Sequence, residues 1–484
     1  MLGEVIAAVF AAGLLGWLIL GRSRSSRKGR LPPGSLGWPI VGETLQFLHY
    51  SSKNNWTQFY KDRVAKYGEA PFRTNLFLSP TVIMPAPEGN KFLFQNENKA
   101  VVAGAESFPP SIKMLLGPDC MSNVVGEEHK RLRRLCGNFF TPEGIRRFVP
   151  QMCKIAKDHF MQHWEGRDEI FLGEMTKQFA FEVACFLFIS MEAGPTLDGM
   201  NTAFTQVHGG LFSILPYQIP GTSFYKAMKG RKHIDQVSDA VIARRRQEIQ
   251  GAEPRANQDL LDVLLTTPDE EGNYMSDDAI KDNLVNFLFA GHDTSAHTLA
   301  MIARMLHHNP YCLEGIVKEQ REIGKARLDD DEPLTWEEIR SMKYTWAVIQ
   351  ETMRIEPVVL GGFRTAIQDV EFGGYTIPKG WKFLFSTAAS HRSEKFFPNP
   401  DKFDPSRFEG QSAPPPYTYV PFGGGPRLCL GYEFARLEML IFLHYVTLNY
   451  EFEMVEPDEK IIRAPSFPKF EKGMHLGIRR RQVA

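Results

Sequence analysis

Apolar residues recur at helical spacing through most of the stretch from Pro142 to Arg354, which predicts a mainly α chain with a minor β region. The clearest element runs from Ser276 to His308, SDDAIKDNLVNFLFAGHDTSAHTLAMIARMLHH. Ser276 suits an N-cap, Asp277 and Asp278 suit the positive end of the helix dipole, and Asn309-Pro310 ends the run. At 1.5 Å per residue such a helix is about 50 Å long. Its middle is apolar on most sides yet carries Gly291, Asp293 and Thr294, which places it across the centre of the fold. Strand-like pieces appear near Phe72–Met84 and again from Val370 to Phe385.

The other long apolar run is the first one, VIAAVFAAGLLGWLIL from Val5 to Leu20. With Leu2 and Gly3 it approaches the ~20 residues that cross a bilayer as a helix. Glu4 precedes it and RSRSSRKGR follows, the reverse of a cleaved signal peptide. The positive-inside bias then puts the rest of the chain in the cytosol. The expected organisation is an N-terminal transmembrane helix at residues 1–21, a basic and proline-rich linker at 22–44, and one large catalytic domain at 45–484.

Composition narrows this further. The 484 residues are 43% hydrophobic, enough for a large core, and no repeat or later low-complexity segment divides them. A net charge of −1 gives no reason to expect a nucleic-acid partner. The six cysteines are scattered with no CxxC, which argues against a zinc ribbon or a disulfide framework.

One cysteine is framed differently. In PFGGGPRLCLGYEFAR, Cys429 follows three glycines and an arginine and precedes a predicted helix. Glycines at 423–425 let backbone approach a flat ligand, and the free N–H groups of the helix start stabilise a thiolate. The loop lacks the Lys-Ser/Thr of a phosphate-binding loop, and whether a histidine base could make the cysteine a nucleophile is open at this point. A thiolate metal ligand fits the frame best.

Phe422, Gly425, Arg427, Cys429 and Gly431 resemble the haem-binding signature of the cytochrome P450 superfamily, the haem-thiolate monooxygenases. Glu351-x-x-Arg354 is similar to the family's ExxR pair, FDPSRF (Phe403–Phe408) to the segment packed against it, and AGHDTS (Ala290–Ser295) to the oxygen-activation motif. Four motifs in order cover nearly the whole chain. The resemblance implies a single large P450-type domain with haem b on Cys429 as proximal thiolate, O2 as co-substrate, and NADPH electrons from a separate NADPH–cytochrome P450 reductase. It implies Glu351, Arg354 and Arg407 as a structural brace. His129, Arg133, Arg364 and Arg427 become the propionate partners, with His129 standing where the family often has Trp. Ala290 and Gly291 would form a widened turn over the haem, and Asp293 and Thr294 would handle the protons of O2 activation. His292 reads as a packing residue.

By position, the substrate regions fall at Phe108–Met121, Leu211–Phe224, Phe287–Ala290 and Val358–Gly362, with Leu116, Phe287, Val359 and Leu360 as lining residues. These stretches carry no charged anchor, which suits a lipophilic substrate drawn from a membrane. LPPGSLGWPIVGETLQF, KYTWAVIQETMR and the haem loop look like the plant oxidases of triterpenes and taxane diterpenes, although Leu430 stands where the triterpene enzymes often have proline. The implied activity is hydroxylation or stepwise oxidation of a terpenoid at the endoplasmic reticulum membrane. The alternatives are a haem-thiolate isomerase or dehydratase, and a haem-free terpenoid-binding protein.

Overall fold

The computed structural model describes residues 29–482 apart from residues 40, 54, 214, 215, 252, 254, 256, 326, 328–331, 411, 412 and 464–466. The expected span at residues 1–21 lies outside the described residues. Among those described, no helix is long and apolar enough to cross a membrane.

Helices dominate. Those that build the site are α1 (Gly126–Gly137), α2 (Val149–His163), α3 (Leu172–Ile189), α4 (Pro195–Gly210), α5 (Ser223–Ile249), α6 (Asp277–His308), α7 (Lys343–Ile355) and α8 (Tyr432–Asn449). The long helix α6 starts and stops where its sequence predicts. Ser276 Oγ accepts from the Ala279 N–H at 3.3 Å, and Asn309 closes the last turn. Leu284 to Phe289 are buried without a break, so α6 has no solvent face there and packs on α3, α5, α7 and α8. Its surroundings form one large apolar cluster that takes in Leu299, Ile302, Val348, Ile349, Leu437 and Leu440.

The β part is a five-stranded sheet with β1 (Phe72–Leu76), β2 (Ser79–Met84), β3 (Val101–Val102), β4 (Gly361–Ala366) and β5 (Lys382–Ser386), ordered β1-β2-β5-β4-β3. Only β2 and β5 run parallel, with Val82 opposite Phe383. The strand β4 was not expected, because GGFRTA lacks clean alternation; it forms by pairing to β5, where Arg364 sits opposite Phe383. A second sheet joins Glu169–Phe171, Tyr450–Met454 and His475–Arg480, and its first strand pairs with one more than three hundred residues away.

The linker expectation needs correcting where it is described. Arg73 N–H donates to Pro33 O at 2.7 Å, and Thr376 N–H donates to Arg30 O at 2.9 Å. Prolines prevent a helix there but leave carbonyls free to accept bonds from sheet edges, so the folded body begins near residue 30 rather than 45.

Candidate haem-binding and oxygen-activation site

The Cys429 loop is held at both ends. Cys429 N–H donates to Phe422 O at 3.0 Å, and α8 begins at Tyr432 with Gly431 as its N-cap. The Gly431 N–H donates to the Cys429 sulfur. Cys429 is accessible yet walled in by protein, so burial pushes its thiol up, while the Gly431 N–H and the Arg133 charge pull it back toward thiolate. The glycines serve the loop itself more than a ligand. Gly423 and Gly425 have φ of +71° and +65°, and a Cβ at Gly424 would lie 2.4 Å from the Phe94 ring. That corrects the expectation that 423–425 make room for a flat group. At Gly431, by contrast, a Cβ would meet nothing within 4 Å.

Behind the loop stands the brace. Glu351 and Arg354, one turn apart on α7, are fully buried and bidentate at 2.6 and 2.8 Å. Arg407 approaches Glu351 at 3.4 Å and donates to Pro398 O at 2.7 Å. The link onward to the cysteine loop is a residue the sequence did not single out. Arg354 donates to His391 O at 2.9 Å, and His391 Nε2 accepts from the Val420 N–H at 2.9 Å. Burial, reinforced by Arg354, pushes the His391 imidazole down to about 3, so it stays a neutral acceptor.

Beside Cys429 the propionate candidates converge. Arg427 donates to Met121 O and Val124 O at 3.1 and 2.7 Å, fixing the segment before α1. Arg364 donates to Glu97 Oε2 at 2.6 Å, and Arg427 lies 3.6 Å from Glu97 Oε1. Arg133 on α1 forms no ion pair or hydrogen bond with any described residue, though it is partly buried. His129 is buried with Nδ1 unpartnered; burial first, then Arg427, Arg133 and Arg364, push it down to about 4. Three guanidinium groups face one carboxylate, a local excess of two positive charges. Two carboxylates on a bound group would balance it and give Arg133 and His129 partners. Haem therefore fits these residues: the Cys429 sulfur would hold its iron, the arginines and His129 would hold its carboxylates, and Gly431 leaves open space beside the sulfur.

Across the fold, α6 supplies the opposite wall. Ala290 is exposed although its neighbours Phe289 and His292 are buried, so the helix opens onto an internal hollow there. The expected widened turn is absent: α6 is α-helical throughout. Gly291 has another reason to be glycine, since a Cβ there would lie 3.2 Å from the Phe188 ring of α3. Thr294 Oγ1 donates to Ala290 O at 2.7 Å. Asp293 points away from that hydroxyl into a buried cluster, with Lys177 at 3.2 Å, His208 at 3.1 Å and His292 at 3.6 Å. Burial alone would raise its carboxyl; His292, Lys177 and His208 together hold it well below the usual range. His292 donates to Leu288 O at 2.6 Å and packs between Phe181 and Phe204, a helix-packing role as expected.

A cavity that α6 reaches through Phe289 is lined by Ile112, Leu116, Leu211, Phe212, Phe289, Val358, Val359, Leu360 and Phe467. Phe287 is not part of it. Two residues along a helix turn the side chain about 200°, so Phe287 packs on Phe140 and Phe188 while Phe289 faces the cavity. The wall also carries two polar side chains that sequence reading missed, His208 from α4 and Tyr60. His208 donates from Nδ1 to Asp293 and so ties the cavity wall to the buried acid.

Known proteins place this arrangement. The family described as cytochrome P450 matches residues 32–475. The β-amyrin 28-monooxygenase of Vitis vinifera is 38% identical over 478 residues, covering 99% of this chain and 98% of its own. That of Kalopanax septemlobus is 40% identical over 435 residues, covering 90% and 89%. The solved structure of a cyanobacterial P450, CYP120A1 with retinoic acid bound, superposes with a TM-score of 0.83 at 31% identity, covering 94% of this chain and all of that one. With the thiolate loop, the braced ion pair and the α6 motif in one fold, this chain belongs to the cytochrome P450 family, haem monooxygenases that use O2 and NADPH-derived electrons.

Proposed function

We propose that this monooxygenase oxidises a lipophilic terpenoid, with a triterpenoid of the β-amyrin type as the first substrate to test. The carrying observation is the cavity walled by Phe289, Val359 and Leu360, apolar except for His208 and Tyr60. Such a wall favours a rigid hydrocarbon skeleton that bears one or two hydrogen-bonding groups. The relatives' activity on β-amyrin supports the same class.

Cys429 would hold the haem from below, and Arg133, Arg364, Arg427 and His129 would hold its carboxylates. Bound haem supplies the redox centre for O2 activation. The chain's own part is proton handling and exclusion of water. Thr294 Oγ1 keeps a proton at the opening beside Ala290. Asp293, the residue before it on α6, is linked to the partly exposed Lys177. A hydroxyl that can rotate and an acid tied to a surface-reaching amine are the parts of a proton path. Their presence favours reductive oxygenation over the isomerase reading.

The finer reading adds an anchor at residues 1–21 in the endoplasmic reticulum membrane, a cytosolic catalytic body, and NADPH–cytochrome P450 reductase as electron donor. Turnover of β-amyrin-type triterpenoids by membranes containing this chain, with and without the reductase, tests the proposal. The expected result is an oxygenated product that requires NADPH, O2 and reductase. Conversion without reductase or O2 would overturn it.

A further inference from the structure

A cluster that shares no residue with the haem candidates carries donor atoms that the reaction does not use. His159 and His163 lie one turn apart on α2, and Glu182 faces them from α3. One ligand atom from each falls within 4.8 Å of the others. His159 is 1% exposed, and neither of its ring nitrogens has a hydrogen-bond partner. A buried imidazole with two unanswered nitrogens is rare in folded proteins, because both lose water without replacement.

The geometry shows where the answer would stand. His159 Nδ1 is 3.8 Å from Glu182 Oε2, too far for a hydrogen bond. It is close to the separation of two ligands on one small cation, whose bonds are each about 2.0–2.2 Å. Gln178 already marks the focus, because its amide nitrogen donates to His163 Nε2 at 3.0 Å and to Glu182 Oε1 at 3.1 Å. Both lone pairs are thus turned toward a shared donor. Rotating that amide would offer its oxygen as a fourth ligand. Phe160 and Phe179 flank the His159 ring at 5.8 and 5.7 Å and give the site an apolar wall.

We propose that His159, His163 and Glu182 form a divalent transition-metal site, of zinc type, that clips α2 to α3. Two imidazoles and a carboxylate are a donor set suited to zinc and poorly suited to magnesium or calcium, which take oxygen ligands. Through α3, which packs along α6, the clip would stiffen the wall that holds Lys177.

Haem-loaded full-length protein in detergent, treated with a chelator and then dialysed against zinc chloride, tests this by metal analysis after gel filtration. One zinc per haem and a raised thermal midpoint are expected. His163→Gln and Glu182→Gln should each lose the zinc and the rise in midpoint, with the carbon monoxide spectrum of the reduced haem unchanged. Gln178→Glu, which keeps all three donors and adds charge, should tighten binding. No zinc on the wild type, zinc undiminished in either ligand variant, or no tightening by Gln178→Glu would overturn the assignment.

Discussion

Among the described residues, Glu97 is the acid paired with the cations beside Cys429, buried at 4% exposure and shared between Arg364 and Arg427. Its Oε1 also accepts from the Ala103 N–H at 2.7 Å, so it orders the loop behind it as well. Glu97→Gln keeps the shape and removes the charge. Arg364 and Arg427 would then lose the protein carboxylate they share, and in the haem-free protein breaking a buried pair in this way costs about 3–5 kcal/mol. The expected outcome is a lower unfolding midpoint and faster haem loss, measured by chemical denaturation and by transfer to apomyoglobin; an unchanged stability would show that the arginines do not depend on this acid. The three arginines were readable in the sequence because each sits in a motif with its own frame. Glu97, His391, Lys177 and His208 were not, because each meets its partner only through the fold. Glu97 and Arg364 are 267 positions apart, and no local spacing announces such a pair.

At the level of elements, α6 and its contact with α3 decide what Gly291 is for. Glycine inside a helix costs about 1 kcal/mol relative to alanine, so something else must favour it here. That something is the Phe188 ring, 3.2 Å from where a Cβ would lie and wedged among Phe139, Phe140, Phe287 and Phe434. Overpacking against a ring with so little freedom costs about 1–3 kcal/mol, which outweighs the gain in helix propensity. Gly291→Ala should therefore destabilise the protein. In a Phe188→Leu background the same change should become neutral or stabilising, since the obstacle is gone while the propensity gain of about 1 kcal/mol remains. A double-mutant cycle in denaturant checks this, and equal effects in both backgrounds would refute the packing account. The helix itself was legible from Ser276 to Asn309, because capping and periodicity are local signals. The strands at Gly361–Ala366 and His475–Arg480 were not, because their pairing partners supply the reason for them.

For the molecule as a whole, several buried histidines set how stability responds to acid. His391 is held down to about 3, and His297 and His444 to about 4, in each case chiefly by burial. Their unfolded value is 6.5, so between pH 6 and pH 5 the unfolded chain takes up a proton on each that the folded protein refuses. Stability on their account is complete above pH 6.5 and is lost as pH falls. Glu438 works the other way. It is fully buried opposite Ser295, burial holds its carboxyl well above the ordinary glutamate range, and the folded protein binds a proton there more tightly than the unfolded chain does. Glu438 therefore opposes the histidines. Each of these three histidines costs about 1.4 kcal/mol of stability per pH unit as the pH falls through that window. His444 donates from Nδ1 to Gln320 Oε1 at 2.8 Å, and His444→Gln offers an amide in the same place that cannot titrate. The variant should take up one proton fewer on unfolding at pH 5.5, and its unfolding free energy should fall less steeply between pH 6 and pH 5. Identical proton uptake by the two proteins would mean that His444 is already protonated in the folded state, and the burial argument for it would fail.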